Sequence, residues 1–205
     1  MATCILLFSY ILPINIAVAL AIVVRLFFTG ALHEDGLADF CDAFGGGRDK
    51  ESILRIMKDS SIGTYGVIGL IFYFLFLWLL LSSLPPFIAA LSIFASDPFA
   101  KCCASQITNT LNYARPEGAK NKITYAGMTK SQLLINILTG IAPLTPLILA
   151  DYFSSLSVIL PIIGLLWLIH MMKNRLGGYT GDCCGASFII CEILMIFGVV
   201  IIFSI

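Results

Sequence analysis

Gly30-Ala31-Leu32-His33-Glu34-Asp35-Gly36-Leu37-Ala38-Asp39-Phe40-Cys41-Asp42 places four carboxylates within nine residues, directly after an apolar run of membrane-crossing length. If the segment is helical, Asp35, Asp39 and Asp42 fall at roughly 0°, 40° and −20° around the axis, so three carboxylates share one narrow face. Like charges held that close call for a cation. An all-oxygen set at a water boundary suits Mg²⁺, which keeps some waters and shares the rest of its shell with substrate phosphates.

The surrounding composition is that of an integral membrane protein. Of 205 residues, 59% are hydrophobic and 12% charged, with a mean hydropathy of +0.98, too little polar surface for a soluble globule of this size. Net charge is zero, which points to no nucleic-acid partner. Six apolar stretches near residues 4–29, 62–84, 86–107, 131–150, 154–172 and 187–205 approach the length needed to cross the hydrocarbon as helices. The expected fold is all-α: a single membrane domain over 1–205, with about six transmembrane helices and short cytoplasmic amphipathic helices. Asp97, Pro98 and Lys101 weaken the third stretch, and Pro143 and Pro146 should kink the fourth.

Lys and Arg concentrate in the loops after the first, third and fifth stretches. The positive-inside tendency puts those loops in the cytoplasm and both termini on the other side of a cell membrane. Nearly every acidic residue shares that face, Asp151 being the outlier. The start of the chain lacks the basic region and cleavage site of a removed signal peptide. Seven cysteines, including the adjacent pairs Cys102-Cys103 and Cys183-Cys184, show no zinc spacing and fit inert apolar packing.

The first loop runs on through Gly45-Gly46-Gly47-Arg48. A glycine run lets backbone N–H groups approach a phosphate, and Arg48 adds a forked donor, although a flexible turn ending the acidic helix has the same composition. Residues 50–60 form an amphipathic segment with Ile53, Ile56 and Met57 on one face, as for a helix on a membrane surface. Lys58 and Asp59 then face either the polar cavity or the solvent and lipid head groups. Arg115, fixed before Pro116, is a second candidate for an anionic group, whereas Lys120, Lys122 and Lys130 suit a topology-setting role. Asp182 opens the last stretch, as an N-cap or as part of the cleft. Glu192, nearly three turns deeper, is expensive at that depth unless it faces a polar interior. His33 is placed to shuttle protons or to hydrogen-bond backbone at the helix start. His170, without a companion, is structural.

His33-x-Asp35-Gly36-Leu37-Ala38-Asp39, then Gly46-Gly47-Arg48, Ile56-Met57-Lys58-Asp59-Ser60 and Ile62-Gly63-x-Tyr65-Gly66 together resemble the cobalamin synthase family, the adenosylcobinamide-GDP ribazoletransferases. So do Tyr113-Ala114-Arg115-Pro116-Glu117-Gly118 and Gly178-x-Thr180-Gly181-Asp182-x-x-Gly185-Ala186 with Glu192 beyond. The resemblance implies a Mg²⁺-dependent membrane transferase. It joins adenosylcobinamide-GDP to α-ribazole or its 5′-phosphate, giving adenosylcobalamin or its phosphate and GMP. Family members carry an additional N-terminal apolar segment, which this chain is expected to lack.

Phosphoryl transfer of this kind rests on positioning and charge stabilisation. The expected assignment gives Asp35, Asp39 and Asp42, with Glu34 in reserve, to the metal, and Arg48, Lys58 and Arg115 to the phosphates and anionic groups. One of Asp59, Asp182 or His33 then acts on the attacking hydroxyl. Two rival classes are a CDP-alcohol phosphotransferase, whose Asp-Gly motif continues with a different spacing, and a cation-coupled transporter, which would place its acids at the bilayer midplane. A third possibility is an inactive fragment. Self-association is left open.

Overall fold

A computed structural model of the chain describes residues 1–115 and 127–204. The described residues are helical, without strands; one isolated bridge joins Tyr113 to Tyr179. In chain order the helices are α1 (Ala2–Ser9), α2 (Ile14–Thr29), α3 (Leu32–Gly46), α4 (Lys50–Ile56), α5 (Thr64–Ser82), α6 (Pro86–Ser105), α7 (Ile107–Thr110), α8 (Lys130–Ile141), α9 (Thr145–Ala150), α10 (Ile159–Leu176) and α11 (Gly181–Ser204). Five segments are long and apolar enough to cross a membrane, six if the bent pair α2 and α3 counts as one. The expected all-α bundle is therefore the fold.

Its first crossing differs from the expectation. Residues 4–29 are not one helix but two, broken before Pro13, which N-caps α2. A proline has no N–H to continue the helix and pushes the residue before it out of the α region. After α2 the chain turns by 91° into α3. Two consecutive left-handed residues, Gly30 (φ 61°) and Ala31 (φ 56°), make the elbow. Glycine adopts that conformation freely; alanine is strained there, so the flanking packing must hold it. Met1 accordingly sits beside Arg25 and the middle of α6, within the bundle rather than at its far end.

The fourth stretch breaks where its prolines predict, with a 3₁₀ turn at Ala142–Leu144 between α8 and α9. The fifth and sixth begin earlier than expected. A 3₁₀ segment, Tyr152–Val158, leads into α10, and α11 starts at Gly181, which puts Asp182 in its first turn.

Helices α6 and α11 form the interior of the bundle and α5, α8 and α10 its margin. The marginal helices expose Ile71, Phe72, Leu75, Leu134, Ile135, Leu138, Ile163, Leu166 and Trp167 to the surroundings, the outward apolar face a bilayer would cover. All seven cysteines are free thiols, and Cys103, Cys183 and Cys191 are buried in the interior.

Candidate active site at the loop end of the bundle

Three loops meet at one end of the bundle. Tyr179 donates its N–H to the Asn112 carbonyl (3.0 Å), and Ala114 donates back to Tyr179 (2.9 Å). That bridge carries Arg115 onto Asp182, with Nη2 3.5 Å from Oδ2. Thr180 caps α11 by accepting the Cys183 N–H at 3.4 Å. The cap position is thus filled, and the Asp182 carboxylate is left to the cleft.

Helix α3 lies against α11 through glycines on both sides. A Cβ at Gly36 would stand 3.3 Å from the Asp182 Cα, and one at Gly185 3.6 Å from His33. The close approach brings Asp35 and Asp39, one helical turn apart, within electrostatic reach of Asp182. Asp35 is exposed and Asp39 half-buried. Neither has a hydrogen-bond or ion-pair partner among the described residues.

The four-carboxylate set expected from the sequence is divided by the structure. Asp42 is turned to the start of α5, where its two oxygens accept the N–H groups of Gly63 (2.7 Å) and Gly66 (2.8 Å). It caps that helix from outside, buried and away from the cavity lining. Glu34 points the other way, into the bundle. Its Oε1 lies 4.0 Å from Arg25 Nε and accepts from the Tyr73 hydroxyl at 3.4 Å, while Oε2 is buried without a hydrogen-bond partner among the described residues. No group of three or more His, Cys, Asp or Glu among the described residues is arranged as a ready metal cage.

The other expected residues separate in the same way. His33 packs against Phe188 with the rings tilted by 56° and centroids 4.5 Å apart, on the wall of a cavity shared with Asp35 and Asp182. Asp59 is solvent-exposed; the Ser61 N–H bonded to it at 2.9 Å holds its carboxyl below the usual carboxylate range, which makes it a weak base. The Arg48 and Lys58 side chains are exposed and make no ion pair with carboxylates among the described residues. The glycine run is not an open cradle. Gly45 and Gly46 finish α3, and a Cβ at Gly47 would stand 2.6 Å from the Ala43 carbonyl oxygen. Arg175, at the end of α10, closes this turn by donating to the carbonyls of Phe44 (2.7 Å) and Gly47 (2.6 Å). The amphipathic segment after it is α4, begun by a capping box between Asp49 and Ser52. Its Ile53 and Met57 are buried in the protein core rather than lying in lipid. Glu117, Gly118, Lys120 and Lys122 lie outside the described residues.

Two features were missed. Arg25, absent from the sequence reading, donates to both oxygens of Glu192 (2.9 and 2.8 Å) in a buried ion pair. Glu192 therefore answers Arg25 rather than lining the cleft with Asp182. One cation in the first apolar run and one anion in the last was the available signal, since charges at such depth pair. The second is the wall of the cavity formed by α6 and α7, with Lys101, Ser105 and Thr108. Of these, only Lys101 figures in the sequence reading, as a weakness of the third stretch.

Carboxylates in a cleft, with a guanidinium beside them, at one end of a bundle whose helices are long and apolar enough to cross a membrane, define a polytopic membrane protein with a charged cleft. The cobalamin-5-phosphate synthase family model matches residues 1–200, and the chain belongs to that family. An adenosylcobinamide-GDP ribazoletransferase of Shewanella sp. (strain W3-18-1) is 38% identical over 199 residues, covering 95% of this chain and 75% of that protein. The protein of the same name from Shewanella oneidensis is 37% identical over 196 residues, 93% of this chain and 74% of its own. No solved structure matches.

Proposed function

We propose that this protein transfers the phosphocobinamide moiety of adenosylcobinamide-GDP to α-ribazole or its 5′-phosphate, releasing GMP, with Mg²⁺ and on the cytoplasmic face of a cell membrane. The family match across residues 1–200 carries the reading, and the geometry of the loop end supports it.

The donor chemistry fits the ion. Mg²⁺ needs only one or two carboxylates when substrate phosphates and water complete its shell, and Asp35 and Asp39 offer an unpaired, accessible pair with Asp182 beside them. They would hold Mg²⁺, which when bound neutralises diphosphate charge. Arg115 supplies a fixed donor for a phosphate oxygen. The attacking ribose hydroxyl oxygen forms a bond to the phosphorus on the corrinoid side. The bond from that phosphorus to the GMP oxygen breaks, and GMP leaves with the electron pair. The hydroxyl proton passes to Asp182, which stands at the cleft with His33 on the same wall.

Purified protein in liposomes, given adenosylcobinamide-GDP and α-ribazole in one reaction and CDP-activated alcohols in another, should release GMP from the first and no CMP from the second. CMP release without GMP would replace this reading with the CDP-alcohol class.

A further inference from the structure

A cavity of about 470 Å³ opens between α3, α6 and α11. From it we infer that the acceptor, an aromatic base on a ribose or ribose phosphate, binds against the α6 wall, with Lys101 selecting the phosphorylated form. The inference rests on the reaction proposed above and assigns one of its two substrates to a place.

Size is the first argument. A cavity of this volume lies within the range that encloses a nucleoside-sized ligand and is too small for a corrinoid macrocycle with its side chains. Its lining is mainly apolar, with Ala104 on one wall and Phe188 on another. Such a lining with a few convergent polar groups suits a flat base carrying a sugar.

The polar groups are the second argument. Asp35 and Asp182 border the same cavity, so a ligand seated in it meets the carboxylates assigned to the reacting groups. On α7, the Thr108 hydroxyl donates to the Ser105 carbonyl at 2.8 Å, and on α6 the Ser105 hydroxyl donates to the Cys102 carbonyl at 2.6 Å. The Thr108 oxygen keeps lone-pair capacity for a sugar hydroxyl, whereas Ser105 is also engaged by Asn136 (2.9 Å) and Gln106 (3.4 Å).

Lys101 is the third argument. It is the one Lys or Arg among the described residues lining the cavity. Its ammonium bonds Asp97 at 2.7 Å and lies 5.3 Å from the centre of the Phe188 ring. An ammonium has three donors, so the Asp97 pair leaves donors for a phosphate. The side chain is 54% exposed, hence free to turn to a ligand.

The test is steady-state kinetics with both acceptors on Lys101→Gln and Ala104→Phe. Lys101→Gln should raise KM for α-ribazole 5′-phosphate roughly tenfold, as for loss of one charged hydrogen bond. It should leave KM for α-ribazole and for adenosylcobinamide-GDP within about twofold. Ala104→Phe, which fills the cavity, should raise KM for both acceptors and not for the corrinoid. If Ala104→Phe does not fold, titration of α-ribazole 5′-phosphate into wild type and Lys101→Gln in nanodiscs gives the same comparison as a Kd ratio. Unchanged acceptor constants, or an equal rise for the corrinoid, would overturn the inference while leaving the reaction standing. A wild-type protein that forms no GMP from the pair would instead fail the proposed reaction.

Discussion

Asp35 and Asp42 are seven residues apart on one helix and have opposite fates. Asp35 is exposed at the cleft and unpaired among the described residues; Asp42 is buried and holds two backbone N–H groups. The periodicity that put them on one face was sound, but which of them stays available depended on α5 arriving beside Asp42. Sequence spacing contains no information about that arrival. Asp42→Ala should therefore act on stability, lowering it by about 1–2 kcal/mol through the lost cap, with kcat of the folded fraction within a few-fold of wild type. Thermal unfolding in detergent, set beside turnover, separates the two effects. The ion pair of Arg25 and Glu192 makes a second test. Glu192→Leu leaves the buried Arg25 guanidinium with only Glu34, at 4.0 Å, as a carboxylate partner among the described residues and should cost about 3 kcal/mol, whereas Arg25→Met with Glu192→Leu should recover part of the loss. A double variant no more stable than the single would contradict the pairing.

Among elements, the elbow between α2 and α3 decides where the carboxylates stand. The left-handed Ala31 is held from both sides: Arg25 on α2 reaches Glu192 of α11, and Glu34 on α3 faces Arg25 and Tyr73. Buried polar groups thus tie α2, α3, α5 and α11 together just below Asp35. The contact of α3 with α11 also depends on Gly36 having no side chain. Gly36→Val should separate the two helices and abolish turnover while leaving the protein extractable and helical by circular dichroism; near wild-type turnover would show that the α3–α11 spacing is not needed. Amphipathicity revealed α4, prolines revealed the break between α8 and α9, and apolar length revealed α5, α6 and α10. The division of residues 4–29 and the 91° turn were harder to read. Pro13 was visible, but uniform apolarity on both sides of it masked the change of direction.

For the whole molecule, the uneven distribution of charge anticipated the gathering of the loops. The basic and acidic loops expected to share a face do meet, through the Tyr113–Tyr179 bridge, the Arg115–Asp182 pair and the Arg175 contacts. Cysteines introduced at Lys58 and Asp151 should therefore be reached by a membrane-impermeant maleimide from opposite sides, Lys58→Cys from the cytoplasmic one; labelling of both from one side would contradict the topology. The most direct measurement of the central claim is GMP release by Asp35→Asn and Asp39→Asn in liposomes across a Mg²⁺ titration. The account predicts a loss of at least about a hundredfold in kcat/KM for each, as for removal of a group that stabilises transferring charge, with Asp42→Asn far milder. Wild-type turnover in both Asp35→Asn and Asp39→Asn, at every Mg²⁺ concentration, would contradict it.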